Sequence, residues 1–199
     1  MDKEIAVFID RDGTISEEIG YVNHPERFRL LPKSGEAIKM INALGLKAVV
    51  VTNQAGVARG YFPEWMIEKV HDKMEELLEK EGAKLDAIYY CPHHPKAGEP
   101  PYRADCECRK PRTGMIDSAA EDLHIDVKKS YMIGDKITDV EFAHRVGAKG
   151  IFVKTGYGRG ELELYGDTWT TTPDFIAEDL LDAVIWIRNE EEKINAATR

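Results

Sequence analysis

The feature that most constrains the fold is a recurring pair: a short, nearly unbroken apolar run, then an amphipathic segment. Ile5-Ala6-Val7-Phe8-Ile9 ends at Asp10, Lys47-Ala48-Val49-Val50-Val51-Thr52 at Asn53, and Ala87-Ile88-Tyr89-Tyr90 at Cys91. Ser130-Tyr131-Met132-Ile133 ends at Gly134, and Gly150-Ile151-Phe152-Val153 near Lys154. A strand with one wet face would alternate apolar and polar residues; these runs do not, so they read as strands buried on both faces. The segments between them carry a helical period. Residues 34–44 gather Ala37, Ile38, Ile41 and Leu44 on one face, and Gly45 supplies a stop. Residues 63–81 open on Pro63-Glu64 and stop at Gly82. Residues 113–123, with Thr113 as the expected cap, turn Met115, Ala119 and Leu123 inward. Residues 139–146 form a fourth helix, and 174–188 a last one with Phe175, Leu180, Leu181, Val184 and Ile185 apolar. The alternation predicts an α/β protein: a three-layer, Rossmann-like parallel sheet with helices on both faces.

The chain has 199 residues, 43% of them hydrophobic, which suits one domain over 1–199 with a single core. No internal repeat or low-complexity tract interrupts it, and Glu190-Glu191-Glu192-Lys193 with its tail reads as a solvated, fraying end. No apolar run approaches the roughly 20 residues of a membrane span. The first strand begins at Ile5, so we expect no secretory leader and a cytoplasmic location. A net charge of −9 disfavours nucleic acid and anionic membrane surfaces, which reward clustered Lys and Arg. It leaves a small anionic ligand open, because such a ligand feels the local field. Monomer is the default expectation.

Open α/β sheets bind ligands at the carboxyl ends of their strands, and unusual residues stand there. Asp10-Arg11-Asp12-Gly13-Thr14 follows the first run, Thr52-Asn53-Gln54 closes the second, and Gly134-Asp135-Lys136-Ile137-Thr138-Asp139 follows the fourth. Asp10, Asp12 and Asp135 would crowd three negative charges unless a cation sat among them. Few, hard oxygen ligands shared with a phosphate suit Mg2+.

These motifs resemble those of haloacid dehalogenase superfamily phosphatases: D-x-D-G-T at Asp10 to Thr14, then Thr52, Lys110 and Gly134-Asp135-Lys136-x-x-Asp139 in the same order. The resemblance implies that Asp10 attacks phosphorus to form an aspartyl phosphate and that Asp12 acts as general acid and base. Mg2+ would sit on Asp10, Asp135 and the backbone carbonyl of Asp12. Thr52 and Lys110 would hold the phosphoryl oxygens, with Asp139 orienting Lys136 or its loop. A retained Asp12 favours phosphomonoester hydrolysis over dehalogenation or ATPase chemistry.

Three cysteines cannot all pair within one chain, and Cys91, Cys106 and Cys108 lie within 18 residues. Cys91-Pro92-His93 and Cys106-Glu107-Cys108 together offer three thiolates and an imidazole, a closed set for structural Zn2+. His93 gives the symmetric Cys-x-His spacing, with His94 as the alternative ligand. Free buried thiols favour apolar surroundings, whereas these are flanked by Pro, His, Asp, Glu and Arg. Zinc would pin the loop 91–109, inserted directly before Lys110.

With this loop, Gly20-Tyr21-Val22 and Thr52-Asn53-Gln54-Ala55-Gly56-Val57-Ala58-Arg59-Gly60, the chain resembles the D-glycero-D-manno-heptose 1,7-bisphosphate phosphatase branch. The related histidinol-phosphatase branch shares most of it. The resemblance implies a sugar-bisphosphate substrate losing its C7 phosphate, a sugar pocket at Glu18, Ile19, Gly20 and Tyr21, and further substrate contacts from Asn53, Gln54 and Lys136. Arg109, a bidentate donor beside Lys110, suits the second phosphate. Only the 38 residues 14–51 lie between Gly13 and Thr52, and 57 separate Thr52 from Lys110, too few for a cap domain in either gap. A capless enzyme is therefore expected. A zinc-ribbon-like binding module would explain the cysteines but not the strand-end aspartates.

Overall fold

The computed structural model describes residues 3–197. Six strands, β1 (Ala6–Ile9), β2 (Lys47–Asn53), β3 (Ala87–Cys91), β4 (Tyr131–Gly134), β5 (Lys149–Val153) and β6 (Phe175–Ala177), form one sheet in the order β3-β2-β1-β4-β5-β6. Every neighbouring pair is parallel. The helices are α1 (Ser34–Ala43), α2 (Trp65–Lys80), α3 (Gly114–Asp122), α4 (Ile137–Val146), α5 (Gly158–Tyr165) and α6 (Leu180–Ala197).

The side-chain period of two divides the sheet between two cores. Val7 and Ile9 of β1 pack with Ile38 and Ile41 of α1, Val70, Met74 and Leu78 of α2, and Val184 and Ile187 of α6. Ala6 and Phe8 face the other way, onto Met115, Ile116 and Ala119 of α3 and Phe142 and Ala143 of α4. Both faces are dry, which is why the strands read as continuous apolar runs. Chain order runs outward from β1 through β2 to β3, then returns to the far side of β1 at β4. The topological switch therefore lies between β1 and β4, the two strands followed by Asp10 and Asp135.

The C-terminal quarter differs from expectation. Phe175–Ala177 is a parallel edge strand on β5, so the last helix starts at Leu180, not at 174. Phe175 is not on that helix; its ring stacks on Trp186 of α6, with centroids 5.3 Å apart. Three residues are too few to show a period. The Glu190–Lys193 end is helical through Ala197 instead of frayed. Glu190 accepts from Lys149 at 2.9 Å, and Glu191 accepts from the Tyr131 hydroxyl at 2.5 Å. Helix α5 was not expected, because Gly158 and Gly160 lower helix propensity. At Gly158 a Cβ would lie 1.9 Å from the Val153 carbonyl oxygen, so close packing requires the glycine. Thr113 does not cap the α3 backbone; its hydroxyl donates to Asp117 Oδ2 at 2.7 Å.

The connection from β1 to α1 carries only a short 3-10 turn, Pro25–Arg27, and residues 92–113 carry no helix or strand. No cap domain stands over the sheet among the described residues, and no helix among them is long and apolar enough to cross a membrane.

Candidate active site and metal sites

Asp10 leaves β1 with its N–H donating to the Ile133 carbonyl of β4 at 2.9 Å, which ties the two strand ends together. Its carboxylate is 2.9 Å from Lys110 Nζ, and Asp139 Oδ1 accepts from the same ammonium at 2.7 Å. All three are buried. Burial opposes the charge on Lys110, yet Asp10 and Asp139 more than offset it and hold the group protonated. Asp135 is fully buried, and one of its oxygens accepts from the Tyr157 N–H at 2.8 Å. Its other oxygen has no partner, and neither does Asp139 Oδ2. Burial first, then the Asp10 charge, pushes the Asp135 carboxyl up to about 8. Asp10, Asp135 and Asp139 each offer an oxygen within 4.8 Å of the others. Buried carboxylates with orphaned oxygens and one lysine among them fit a hard divalent cation.

The resemblance gives Asp12 to the metal through its backbone carbonyl, and the Asp12 carboxylate is turned to other partners. It accepts from Arg11 Nε at 3.0 Å, from Arg11 Nη2 at 2.9 and 2.7 Å, and from Gln54 Nε2 at 2.8 Å. Burial works against its ionisation, but the Arg11 charge and these hydrogen bonds prevail and hold the carboxyl below the usual range. Only the Asp12 backbone is left for a metal. Asp139 grips Lys110, not Lys136.

A cavity of about 420 Å³ opens above these groups. Asp10, Asp12, Thr52 and Lys110 line it, with Glu18, Gly20, Tyr21, Asn53, Arg109 and Lys136. Ile19 and Gln54 do not. Ile19 lines a neighbouring depression, and buried Gln54 donates to Thr52 Oγ1 at 2.9 Å as well as to Asp12. The Asn53 side chain is spent on the Lys110 backbone, donating to its carbonyl at 3.2 Å and accepting from its N–H at 3.1 Å. Arg109 reaches the cavity while donating to the His93 carbonyl at 3.1 Å. Lys136 lies 4.7 Å from the centroid of Tyr157, and burial of Glu18 raises its carboxyl above the usual range.

The second metal-ligand cluster is at the end of β3. Cys91 Sγ is 3.5 Å from Cys106 Sγ, Cys106 is 3.3 Å from Cys108, and His93 Nδ1 is 3.4 Å from Cys108 Sγ. These separations approach the roughly 3.8 Å edge of a tetrahedron with Zn–S bonds near 2.3 Å. His94 faces away, its Nδ1 accepting from the N–H groups of Lys96 and Ala97. The donor set fits zinc, with His93 as the imidazole.

The HAD-hydrolase-like family model matches residues 107–183. A D-glycero-D-manno-heptose-1,7-bisphosphate 7-phosphatase of Thermosynechococcus vestitus is 40% identical over 186 residues, covering 92% of this chain and 94% of that protein. The chain belongs to the heptose-1,7-bisphosphate phosphatase family. A D-glycero-beta-D-manno-heptose-1,7-bisphosphate 7-phosphatase of Escherichia coli K12 is 44% identical over 153 residues, 76% of this chain and 80% of that one. A D,D-heptose 1,7-bisphosphate phosphatase of B. bronchiseptica, crystallised with magnesium and phosphate, superimposes with a TM-score of 0.82 at 30% identity. That match covers 94% of this chain and 99% of the other.

In this member of the heptose phosphatase family, the site also includes residues that the sequence reading passed over. Ala55, Thr138 and Tyr157 line the cavity. Tyr157 is held there by its backbone N–H, which donates to Asp135 Oδ2 at 2.8 Å. His71, buried on α2, contacts Arg11 and carries no motif at all. No local signal could have found it, because it lies 60 residues from its partner.

Proposed function

We propose that this family member hydrolyses the C7 phosphate of D-glycero-D-manno-heptose 1,7-bisphosphate through an aspartyl phosphate on Asp10, acting as a single domain over 1–199. The observation that carries the reading is the convergence of Asp10, Asp12, Thr52 and Lys110 on one cavity. Asp10 attacks phosphorus from the cavity floor, and Lys110 neutralises charge on the phosphoryl oxygens. Thr52 Oγ1 accepts from Gln54, so its own proton is directed to a phosphoryl oxygen. Asp12 protonates the leaving alkoxide and then takes a proton from the attacking water. An incoming phosphate dianion raises the proton affinity of the nearby carboxylate, which offsets the Arg11 pairing during that first step.

Asp10, Asp135 and the Asp12 carbonyl would hold Mg2+, which when bound lowers repulsion between carboxylate and phosphate. Cys91, His93, Cys106 and Cys108 would hold Zn2+ with no open position, a structural role. Arg109 takes the second phosphate, and Glu18, Gly20, Tyr21 and Lys136 face the sugar. We place the enzyme in the cytoplasm as a monomer that binds neither nucleic acid nor membrane.

Steady-state kinetics on both heptose bisphosphate anomers and on histidinol phosphate test the reading. A heptose bisphosphate should exceed histidinol phosphate in kcat/KM by roughly 100-fold or more; the reverse order would make the chain a histidinol-phosphatase. Asp10→Asn should abolish turnover while fold and zinc content persist, and retained wild-type turnover would remove Asp10 as nucleophile.

A further inference from the structure

Arg11 stands between the two motif aspartates and is 1% exposed, the largest fully buried side chain among the described residues. A buried guanidinium is tolerated only when its donors are used. Nε and Nη2 grip Asp12, Nη2 also donates to Gln54 Oε1 at 2.9 Å, and Nη1 lies 3.2 Å from His71 Nε2. Arginine has no acceptor, so His71 Nε2 must be one, and the imidazole is neutral with its proton on Nδ1. Burial, and then the Arg11 charge, favour that state by pushing His71 down to about 3. Helix α2 fixes the ring: Val70, Met74 and Leu78 anchor the helix in the core, and Tyr90 packs edge-on to His71 at 5.7 Å.

We propose that His71 is a positioning residue: by accepting from Nη1 it orients the Arg11 guanidinium, whose fork fixes the Asp12 carboxylate toward the leaving group. The inference rests on the reading of Asp12 as proton donor. Without an acceptor at Nε2 the guanidinium turns to satisfy Nη1, and the fork on Asp12 is lost. Gln54 and Ser16 then hold Asp12, through one hydrogen bond each, at 2.8 and 3.4 Å. The effect belongs to protonation of the leaving group, not to substrate binding, because His71 does not line the cavity.

The test compares kcat/KM on heptose 1,7-bisphosphate, whose alkoxide needs a proton, with p-nitrophenyl phosphate, whose phenolate leaves without one. This constant reports the step in which the leaving group departs, before water attacks. Asp12→Asn should lower the sugar-to-aryl ratio by roughly 100-fold, and His71→Leu should lower it by roughly 10-fold. His71→Gln, whose carbonyl can accept from Nη1, should restore the ratio to within about 3-fold of wild type. If His71→Leu does not fold, as read by circular dichroism and thermal melting, Arg11→Lys serves in its place. It keeps the charge, loses the fork and should shift the ratio in the same direction. Equal losses on both substrates in the His71 and Arg11 variants, or a Gln variant no better than Leu, would overturn the inference alone. A ratio unmoved by Asp12→Asn would remove Asp12 as proton donor, and the inference with it.

Discussion

At the scale of single residues, the site is held open by an absent side chain. Gly13 has φ +82°, and a Cβ there would meet Asp135 Oδ2 at 2.2 Å. Gly13→Ala should therefore cost about 1–3 kcal/mol in stability from the left-handed backbone alone. It should also displace Asp135, so that activity falls further than the melting temperature implies. An alanine variant with wild-type kcat would refute the steric reading. His71 sets a pH dependence of stability. Burial, and then the Arg11 charge, push its folded pKa down to about 3, below the ordinary value of about 6.5 for a free imidazole, so the unfolded chain binds the extra proton as pH falls. The stability is complete above about pH 6.5 and is lost toward pH 3, by at most about 1.4 kcal/mol per pH unit. Urea melts of wild type and His71→Gln should diverge over this window, wild type losing stability more steeply as pH falls. Parallel curves would mean that His71 is protonated in the folded protein.

At the scale of elements, the loop between β3 and α3 is the one most dependent on something other than its own backbone. Residues 92–113 contain no helix or strand, and four ligand atoms gathered within 4.8 Å stand where a core would otherwise be needed. Elemental analysis should find about one zinc per chain, and a chelator or Cys106→Ser should lower the melting temperature. Because Arg109 donates to the His93 carbonyl, loosening the loop should raise KM for a bisphosphate more than it lowers kcat. A fall in kcat alone would separate the loop from the substrate. Helix α6 makes the contrasting case: its charged end stays ordered through Lys149 and Tyr131, two residues on the sheet.

At the scale of the whole molecule, a net charge of −9 coexists with a cavity lined by Arg109, Lys110 and Lys136. Local cations, not total charge, decide which anion enters. Arg109→Ala should reduce kcat/KM on the bisphosphate by roughly 10- to 100-fold and barely touch a sugar monophosphate; equal losses would sink its assignment to the second phosphate. The parallel sheet, its five longer strands and the placing of aspartates at strand ends were legible in the sequence. Two-sided burial writes itself as continuous apolar runs, and a strand end is adjacent in the chain to the residue it presents. The pairing of Cys91-x-His93 with Cys106-x-Cys108 was legible for the same reason, as short spacings with a fixed chemical need. Only the tertiary structure turned Gln54 onto Asp12 and Asn53 onto Lys110, stacked Phe175 on Trp186 and set His71 behind Arg11. These last choices depend on which side chain meets which when distant segments pack. No local period or motif records that, because each residue's partner is supplied by another part of the fold.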